Sequence, residues 1–221
     1  MLNWDGNLLR LDGVTLHYAD PEDAERPPGT LALLKPPSLV DRFMQSLAGL
    51  EPRRILDLGT YEGGSACLWF EHFQPEKLVT VDISPGPSRP EFAYYQDRTD
   101  GRLRAYWGVS QADTERLAEI VGDEFTGPLD LVIDDASHWY EPTRASFDLL
   151  WPLLRPGGLY VLEDWDWEFL TEFQAPHPWS QKRGLVQLVD ELSRRIRVDV
   201  KSVSLRTSLA VFEQRGESLE A

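Results

Sequence analysis

Two short apolar runs end in clustered acids: Leu131-Val132-Ile133-Asp134-Asp135 and Leu159-Tyr160-Val161-Leu162-Glu163-Asp164. Runs of this length, without polar alternation and bounded by turn formers, suit strands buried on both faces of a parallel sheet. Between them, Ala145-Ser146-Phe147-Asp148-Leu149-Leu150-Trp151 reads as a helix, and Arg155-Pro156-Gly157-Gly158 as the turn that stops it. A right-handed βαβ crossover sets the carboxyl ends of its two strands side by side, at the edge where open α/β sheets hold ligands. Asp134, Asp135, Glu163 and Asp164 are therefore expected to converge with His138. Hard oxygen ligands crowded at one point repel one another unless a divalent cation or shared protons compensate, which points to Mg²⁺.

Upstream, Arg54-Ile55-Leu56-Asp57-Leu58 leads through Gly59-Thr60-Tyr61-Glu62-Gly63-Gly64-Ser65 into a helix containing Ala66-Cys67-Leu68-Trp69-Phe70. A strand, a glycine turn and a helix start aim backbone N–H groups at a ligand. Tyr61 occupies the second glycine position of a dinucleotide fingerprint, where its bulk obstructs a pyrophosphate. S-adenosylmethionine, a nucleoside without phosphates, suits the turn better than NAD. Asp82 ends the next strand, Leu78–Asp82, where a carboxylate can accept hydrogen bonds from both ribose hydroxyls. Leu103–Trp107 reads as the third strand, Gly108-Val109-Ser110-Gln111 as the following turn, and Thr114–Val121 as a helix.

The flanks are less regular. Residues 1–37, with Pro21, Pro27, Pro28, Pro36 and Pro37, read as an irregular arm or cap containing a short hairpin near Leu11-Asp12-Gly13-Val14. From Ser38, a candidate N-cap, Leu39, Val40, Phe43, Met44, Leu47 and Leu50 follow helical spacing. Residues 164–183, rich in Trp, Phe, His and Pro, suit a substrate lid. Gly184–Leu192 has helical spacing, and Val198–Leu205 with Ser208–Glu213 reads as a closing hairpin that makes the sheet mixed. The fold expected is α/β and Rossmann-like: a mainly parallel sheet, helices on both faces, an antiparallel hairpin at the C-terminus, and one domain over residues 38–221.

With 221 residues and a net charge of −15, the surface repels nucleic acid and anionic membranes. One cysteine, Cys67, precludes a disulfide within the chain, and neither a signal peptide nor a membrane-spanning run is visible, so a cytoplasmic setting is expected.

Taken together, these motifs resemble the class I S-adenosylmethionine-dependent methyltransferases, specifically the metal-dependent O-methyltransferases of the catechol and macrolide-sugar type, over about residues 38–165. Leu58-Gly59-Thr60-Tyr61-Glu62-Gly63-Gly64-Ser65 matches the family's Leu-Gly-x-Tyr-x-Gly-x-Ser turn around the methionine part of the cofactor. The resemblance therefore implies that Gly59, Tyr61, Gly63 and Ser65 bind the cofactor, with Asp82 at the ribose and Ser110 and Gln111 beside the adenine. It implies Asp135, Glu163 and Asp164 as ligands of Mg²⁺ or Mn²⁺, with Asp135 also bordering the cofactor. His138 falls at the family's base, and Asp134-Asp135-Ala136-Ser137-His138 nearly reproduces the macrolide-sugar pattern Asp-Asp-Gly-Ser-His. Ser137 stands where catechol enzymes carry tryptophan, so the adenine wall must be built otherwise, and the chain is shorter at its N-terminus than the macrolide-sugar enzymes. The activity implied is methyl transfer to a hydroxyl of a small molecule, a sugar or phenolic moiety of a natural product, by a chain compatible with a homo-oligomer. A metal ligating the hydroxyl lowers its pKa while a base takes the proton. A metal-independent methyltransferase and a non-catalytic S-adenosylmethionine-binding protein stay open, as does the part Asp134 plays.

Overall fold

The computed structural model describes residues 2–18, 27–87 and 89–216; the N-terminal Met1 and Pro21 of the expected arm lie outside them. The arm is more ordered than its prolines suggest. Strands β1 (Trp4–Asp5), β2 (Leu8–Leu11), β3 (Val14–Tyr18) and β4 (Thr30–Leu33) form a small sheet in that order, with β3 and β4 parallel. The expected hairpin is present, pairing Leu11 with Val14 across Asp12-Gly13. Leu9, Val14 and Leu16 are buried on one face of it, the alternation of a sheet with one solvated side. All four residues of β4 are buried, because β4 lies against the rest of the protein.

Helix α1 (Pro37–Ser46) buries Leu39, Val40 and Phe43. Its N-cap is Pro36, so Ser38 lies inside the first turn and makes no cap: proline's fixed φ is already suited to a helix start. The main sheet follows: β5 (Arg54–Leu58), β6 (Lys77–Asp82), β7 (Leu103–Trp107), β8 (Leu129–Asp134), β9 (Leu154–Glu163), β10 (Val200–Arg206) and β11 (Leu209–Gln214). Their order is β10-β11-β9-β8-β5-β6-β7. The contacts from β9 through β8, β5 and β6 to β7 are parallel, and β11 runs antiparallel to both β9 and β10, which is the mixed sheet expected.

Helices α2 (Gly64–Phe73), α3 (Pro90–Asp97), α4 (Thr114–Glu124), α5 (Tyr140–Leu150) and α6 (Val186–Ser193) cover the sheet. Strand alternation divides the core in two. Ile55, Leu78, Leu131, Ile133 and Val161 pack with α1, α2, α3 and the small sheet. Leu56, Val79, Val132, Tyr160 and Leu162 pack with α4, α5 and α6. The fold class is thus as the sequence indicates.

Two details differ. Arg155-Pro156-Gly157-Gly158 is not a turn before the strand. Leu154 already pairs with Leu129, and the next pair is Leu131 with Leu159, so the Pro-Gly-Gly stretch bulges out of β9. Helix α5 begins at Tyr140 rather than Ala145, because Thr143, Ser146, Phe147 and Leu150 together make its buried stripe. Among the described residues no helix is long and apolar enough to cross a membrane.

The small sheet is held against α2 by backbone contact. A Cβ on Gly64 would lie 2.0 Å from the carbonyl oxygen of Ala32 in β4. Gly64→Ala should therefore destabilise the protein by about 1–3 kcal/mol and speed amide exchange in β4. Gly122→Ala, in the interior of α4 with open space around it, should instead stabilise by up to about 1 kcal/mol. Equal melting temperatures for the two variants would refute this account of the contact.

Candidate active site

The carboxyl ends of β5, β6, β8 and β9 open on a cavity of about 530 Å³. Strands to either side of β5 are reached by connections leading in opposite directions, which leaves a crevice at their ends. Gly59, Tyr61, Ser65, Asp82, Ser110, Gln111, Asp135, His138, Glu163 and Asp164 all line this cavity. Gly63 does not; it is the left-handed N-cap of α2, and the ring of Phe92 fills the space a Cβ would need.

The turn after β5 is shaped by one close approach. Gly59 has φ +100°, and a Cβ there would lie 2.2 Å from the carbonyl oxygen of Asp135. Its N–H donates to Val81, and the Asp135 N–H donates to Leu58, so the ends of β5, β6 and β8 are drawn together. Asp82 fastens the same turn: Oδ2 accepts the N–H groups of Thr60 and Tyr61 at 2.8 Å, and Oδ1 accepts that of Ser84 at 2.7 Å. With two lone pairs per oxygen, Oδ1 keeps capacity for a further donor beyond the Ser84 N–H.

Gln111 borders the cavity, and behind it lies the buried Asp134. Gln111 is buried; its Nε2 donates to both Asp134 oxygens and its Oε1 accepts the Ser137 N–H at 2.7 Å. Asp134 also accepts from Ser146 Oγ and Tyr160 OH, both at 2.9 Å. Burial pushes its carboxyl up to about 6, against the pull of those two hydroxyls. Asp134 therefore braces the loop that carries Ser137 and His138 and does not join the other acids. Alternation along β8 explains the divergence: Asp134 shares the face of Val132, whereas Asp135 shares that of Ile133.

On that second face stands a residue the sequence reading missed. Lys35, between β4 and α1, is buried, and its Nζ donates to Asp135 Oδ2 at 2.5 Å and to Glu163 Oε2 at 2.7 Å. The only sequence signal was a lysine closing the apolar run Leu31-Ala32-Leu33-Leu34 just before Pro36-Pro37. Burial alone would lower its pKa, but the charges of Asp135 and Glu163 outweigh burial and raise it, so the ammonium persists. Burial and the neighbouring Asp135 charge push both Glu163 and Asp164 upward. One ammonium thus faces three carboxylates.

Asp135, His138 and Asp164 each offer a ligand atom within 4.8 Å of the others'. His138 Nε2 lies 3.8 Å from Asp135 Oδ1. Glu163 Oε1 is buried in the cavity wall without a hydrogen-bond partner, and such an orphan acceptor is costly unless a cation meets it. Carboxylate oxygens beside a single imidazole are a donor set that fits Mg²⁺ or Mn²⁺. Tyr61, His138 and Asp164 are held at φ 50°, 57° and 46°. Left-handed backbone in non-glycine residues costs on the order of 1–3 kcal/mol each and concentrates at functional positions.

Of residues 164–183, only Asp164 lines the cavity. Two other residues of the segment pack against His138: Trp167 Nε1 donates to the His138 carbonyl at 2.8 Å, and the Trp179 ring centres 6.2 Å from the imidazole. Trp139, on the cavity wall, meets Trp179 edge-on.

A family model described as a methyltransferase domain matches residues 56–165. The chain is 46% identical over 132 residues to demethylmacrocin O-methyltransferase of Streptomyces fradiae, a match covering 52% of this chain and 28% of that protein. It is 36% identical over 118 residues to mycinamicin VI 2''-O-methyltransferase of Micromonospora griseorubida, covering 50% and 27%. The structure of the MycE methyltransferase from the mycinamycin biosynthetic pathway, in complex with Mg and SAH, superposes with a TM-score of 0.59 at 27% identity, covering 80% of this chain and 48% of that one. The matched segment spans less than a third of either curated relative.

Asp57, buried in β5 and bonded to Thr80, lies within the field of the same charges. Burial pushes its carboxyl from 3.8 up to about 7; Lys35 opposes this and Asp135 adds to it. The folded protein therefore holds a proton that the unfolded chain has lost above about pH 4, so stability falls as pH rises from about 4 to 7. Asp57→Asn removes this titration. Its stability relative to the parent should rise across that window, by up to about 1.4 kcal/mol per pH unit. Parallel denaturation curves of parent and variant at pH 4.5 and 7.5 would contradict the assignment.

Proposed function

We propose that the chain, which superposes on a methyltransferase complexed with Mg and SAH and whose residues 56–165 match a methyltransferase-domain model, is a class I S-adenosylmethionine-dependent, metal-dependent O-methyltransferase. Its acceptor would be a hydroxyl on the sugar of a natural product. The observation that carries this reading is the cluster of Asp135, His138 and Asp164, with the unpaired Oε1 of Glu163, in the wall of the cavity built by the Gly59 turn.

The glycine turn and Ser65 hold the methionine end of the donor, and Asp82 Oδ1 accepts a ribose hydroxyl. The adenine lies among Ile83, Val109, Ser110, Ala136 and Pro142, which border the cavity and build the wall that Ser137 cannot. Asp135, Glu163 and Asp164 would hold the divalent ion. S-adenosylmethionine would supply an electrophilic methyl group, and the ion would supply polarisation of the acceptor hydroxyl. His138 then takes the hydroxyl proton at Nε2, the nitrogen turned toward Asp135. The Trp167 hydrogen bond to its carbonyl fixes where the ring stands. The small N-terminal sheet caps the cavity through Ala32, Leu34 and Lys35. Residues 164–183 reach the cavity through Asp164 alone, and Trp139, backed by Trp179 of that segment, offers a flat apolar face to a sugar ring. The acidic surface supports a small-molecule acceptor rather than nucleic acid. The sugar is favoured over a phenol by the names of the macrolide relatives.

Methyl transfer from S-adenosylmethionine to a glycosylated macrolide bearing a free sugar hydroxyl, followed by release of S-adenosyl-homocysteine, tests this directly. Excess chelator should stop turnover, and Mg²⁺ or Mn²⁺ should restore it; undiminished turnover in chelator would exclude the metal. His138→Gln should lose about 10²–10⁴ in rate, as expected for a general base. The same variant should keep the rise in melting temperature that S-adenosyl-homocysteine confers by binding. A variant as fast as the parent would remove His138 from proton transfer.

A further inference from the structure

Lys35 is a buried cation placed against two of the three carboxylates assigned to the ion. It is contributed by the N-terminal unit rather than by the strands that carry the acids. Its ammonium takes one oxygen from each: Asp135 Oδ2 and Glu163 Oε2. The other oxygens are turned elsewhere. Asp135 Oδ1 faces His138, and Glu163 Oε1 is buried without a partner. The two acids are thus held from one side by lysine and left open on the other. Three carboxylates and one ammonium leave two negative charges, which matches a divalent ion.

We propose that Lys35 is a resident counter-ion that positions Asp135 and Glu163 and sets how tightly this protein holds its divalent metal, an inference that rests on the metal-dependent reading above. Without metal, the ammonium compensates the buried Glu163 and the half-buried Asp135, whose facing charges would otherwise destabilise the fold. With metal bound, the same positive charge, bonded to two of the carboxylates that would hold the ion, would weaken that hold, so the metal would bind reversibly. Lys35 reaches the reaction only through the acids and is a positioning residue.

Mn²⁺ binding measured by electron paramagnetic resonance at pH 8, together with melting temperatures with and without Mn²⁺, tests this on the full chain. Lys35→Met keeps the length of the side chain and removes its charge. Its metal-free melting temperature should fall below the parent's, and Mn²⁺ should raise it by more than it raises the parent's. Its Mn²⁺ affinity should tighten by at least about tenfold, since a unit charge that close to a dication at an effective dielectric near 20 weighs heavily on binding. Lys35→Arg, which keeps the charge, should bind Mn²⁺ close to the parent's affinity. Unchanged or weaker Mn²⁺ binding by Lys35→Met, beside normal binding by the parent, would overturn the inference and leave the metal-dependent reading standing. A parent that binds no Mn²⁺ would overturn both. If Lys35→Met does not fold without metal, Lys35→Met/Asp135→Asn/Glu163→Gln removes all three charges of the triad together. A near-parental metal-free melting temperature for this triple variant supports the counter-ion role, and one as low as that of a packing defect overturns it.

Discussion

One buried ion triad, Lys35 with Asp135 and Glu163, ties the parts of this molecule together. Lys35 arrives from the small N-terminal sheet, while the two acids close β8 and β9 of the large one. Leaving a charge buried and unpaired costs several kcal/mol, so the N-terminal unit cannot leave without exposing or stranding both acids. Two further contacts reinforce the attachment. The Ala32 N–H donates to Glu62 in the glycine turn at 3.0 Å, and the Ala32 carbonyl rests on Gly64 at the start of α2. The segment that reads as an irregular arm is therefore a wall of the cavity.

The alternation of a β-strand sorts the acids into two kinds of work. Asp135 and Glu163 share the face of Ile133 and Val161, toward α1, α2 and the small sheet, where Lys35 waits. Asp134 shares the face of Val132 and Leu162, toward α4 and α5, where Tyr160, Ser146 and Gln111 satisfy it completely. Adjacent aspartates with the same chemistry thus serve opposite ends. One leaves an oxygen open to the cavity, and the other spends its acceptors bracing the Ser137–His138 loop.

Much of this was legible beforehand, because it depends on local pattern. The apolar runs ending in acids became β8 and β9, the glycine turn stands where Gly59 allows backbone to approach backbone, and the closing hairpin pairs as its alternation implies. What escaped depends on partners distant in sequence. Lys35 lies 100 residues from Asp135 and 128 from Glu163, and an isolated lysine after an apolar run carries no local mark of an ion pair. Gln111 and Asp134 belong to motifs that suggest ligand contact, yet their side chains bond each other, which only packing of α5 against β8 decides. Helix α3 escaped for a related reason: only Phe92 and Tyr95 of its eight residues are buried, too few to print a periodic stripe.

The aromatic segment after β9 is bound to His138, and this limits how it can move. Trp167 is buried and donates to the His138 carbonyl, the Arg183 carbonyl accepts the Tyr140 N–H two residues after His138, and Glu168 accepts the Val186 N–H at the start of α6. A lid that swung freely would break all three, and it would release a histidine held at φ 57°, whose strained backbone persists only while its surroundings enforce it. Phe173 and Trp179 stack on each other with ring centres 5.1 Å apart, and both meet the Trp167 ring edge-on, at 5.8 and 5.2 Å, so the three rings hold one another as a single cluster. Because the Trp179 ring also lies 6.2 Å from the His138 imidazole, the position of His138 against Asp135 is coupled to this cluster through side chain as well as backbone.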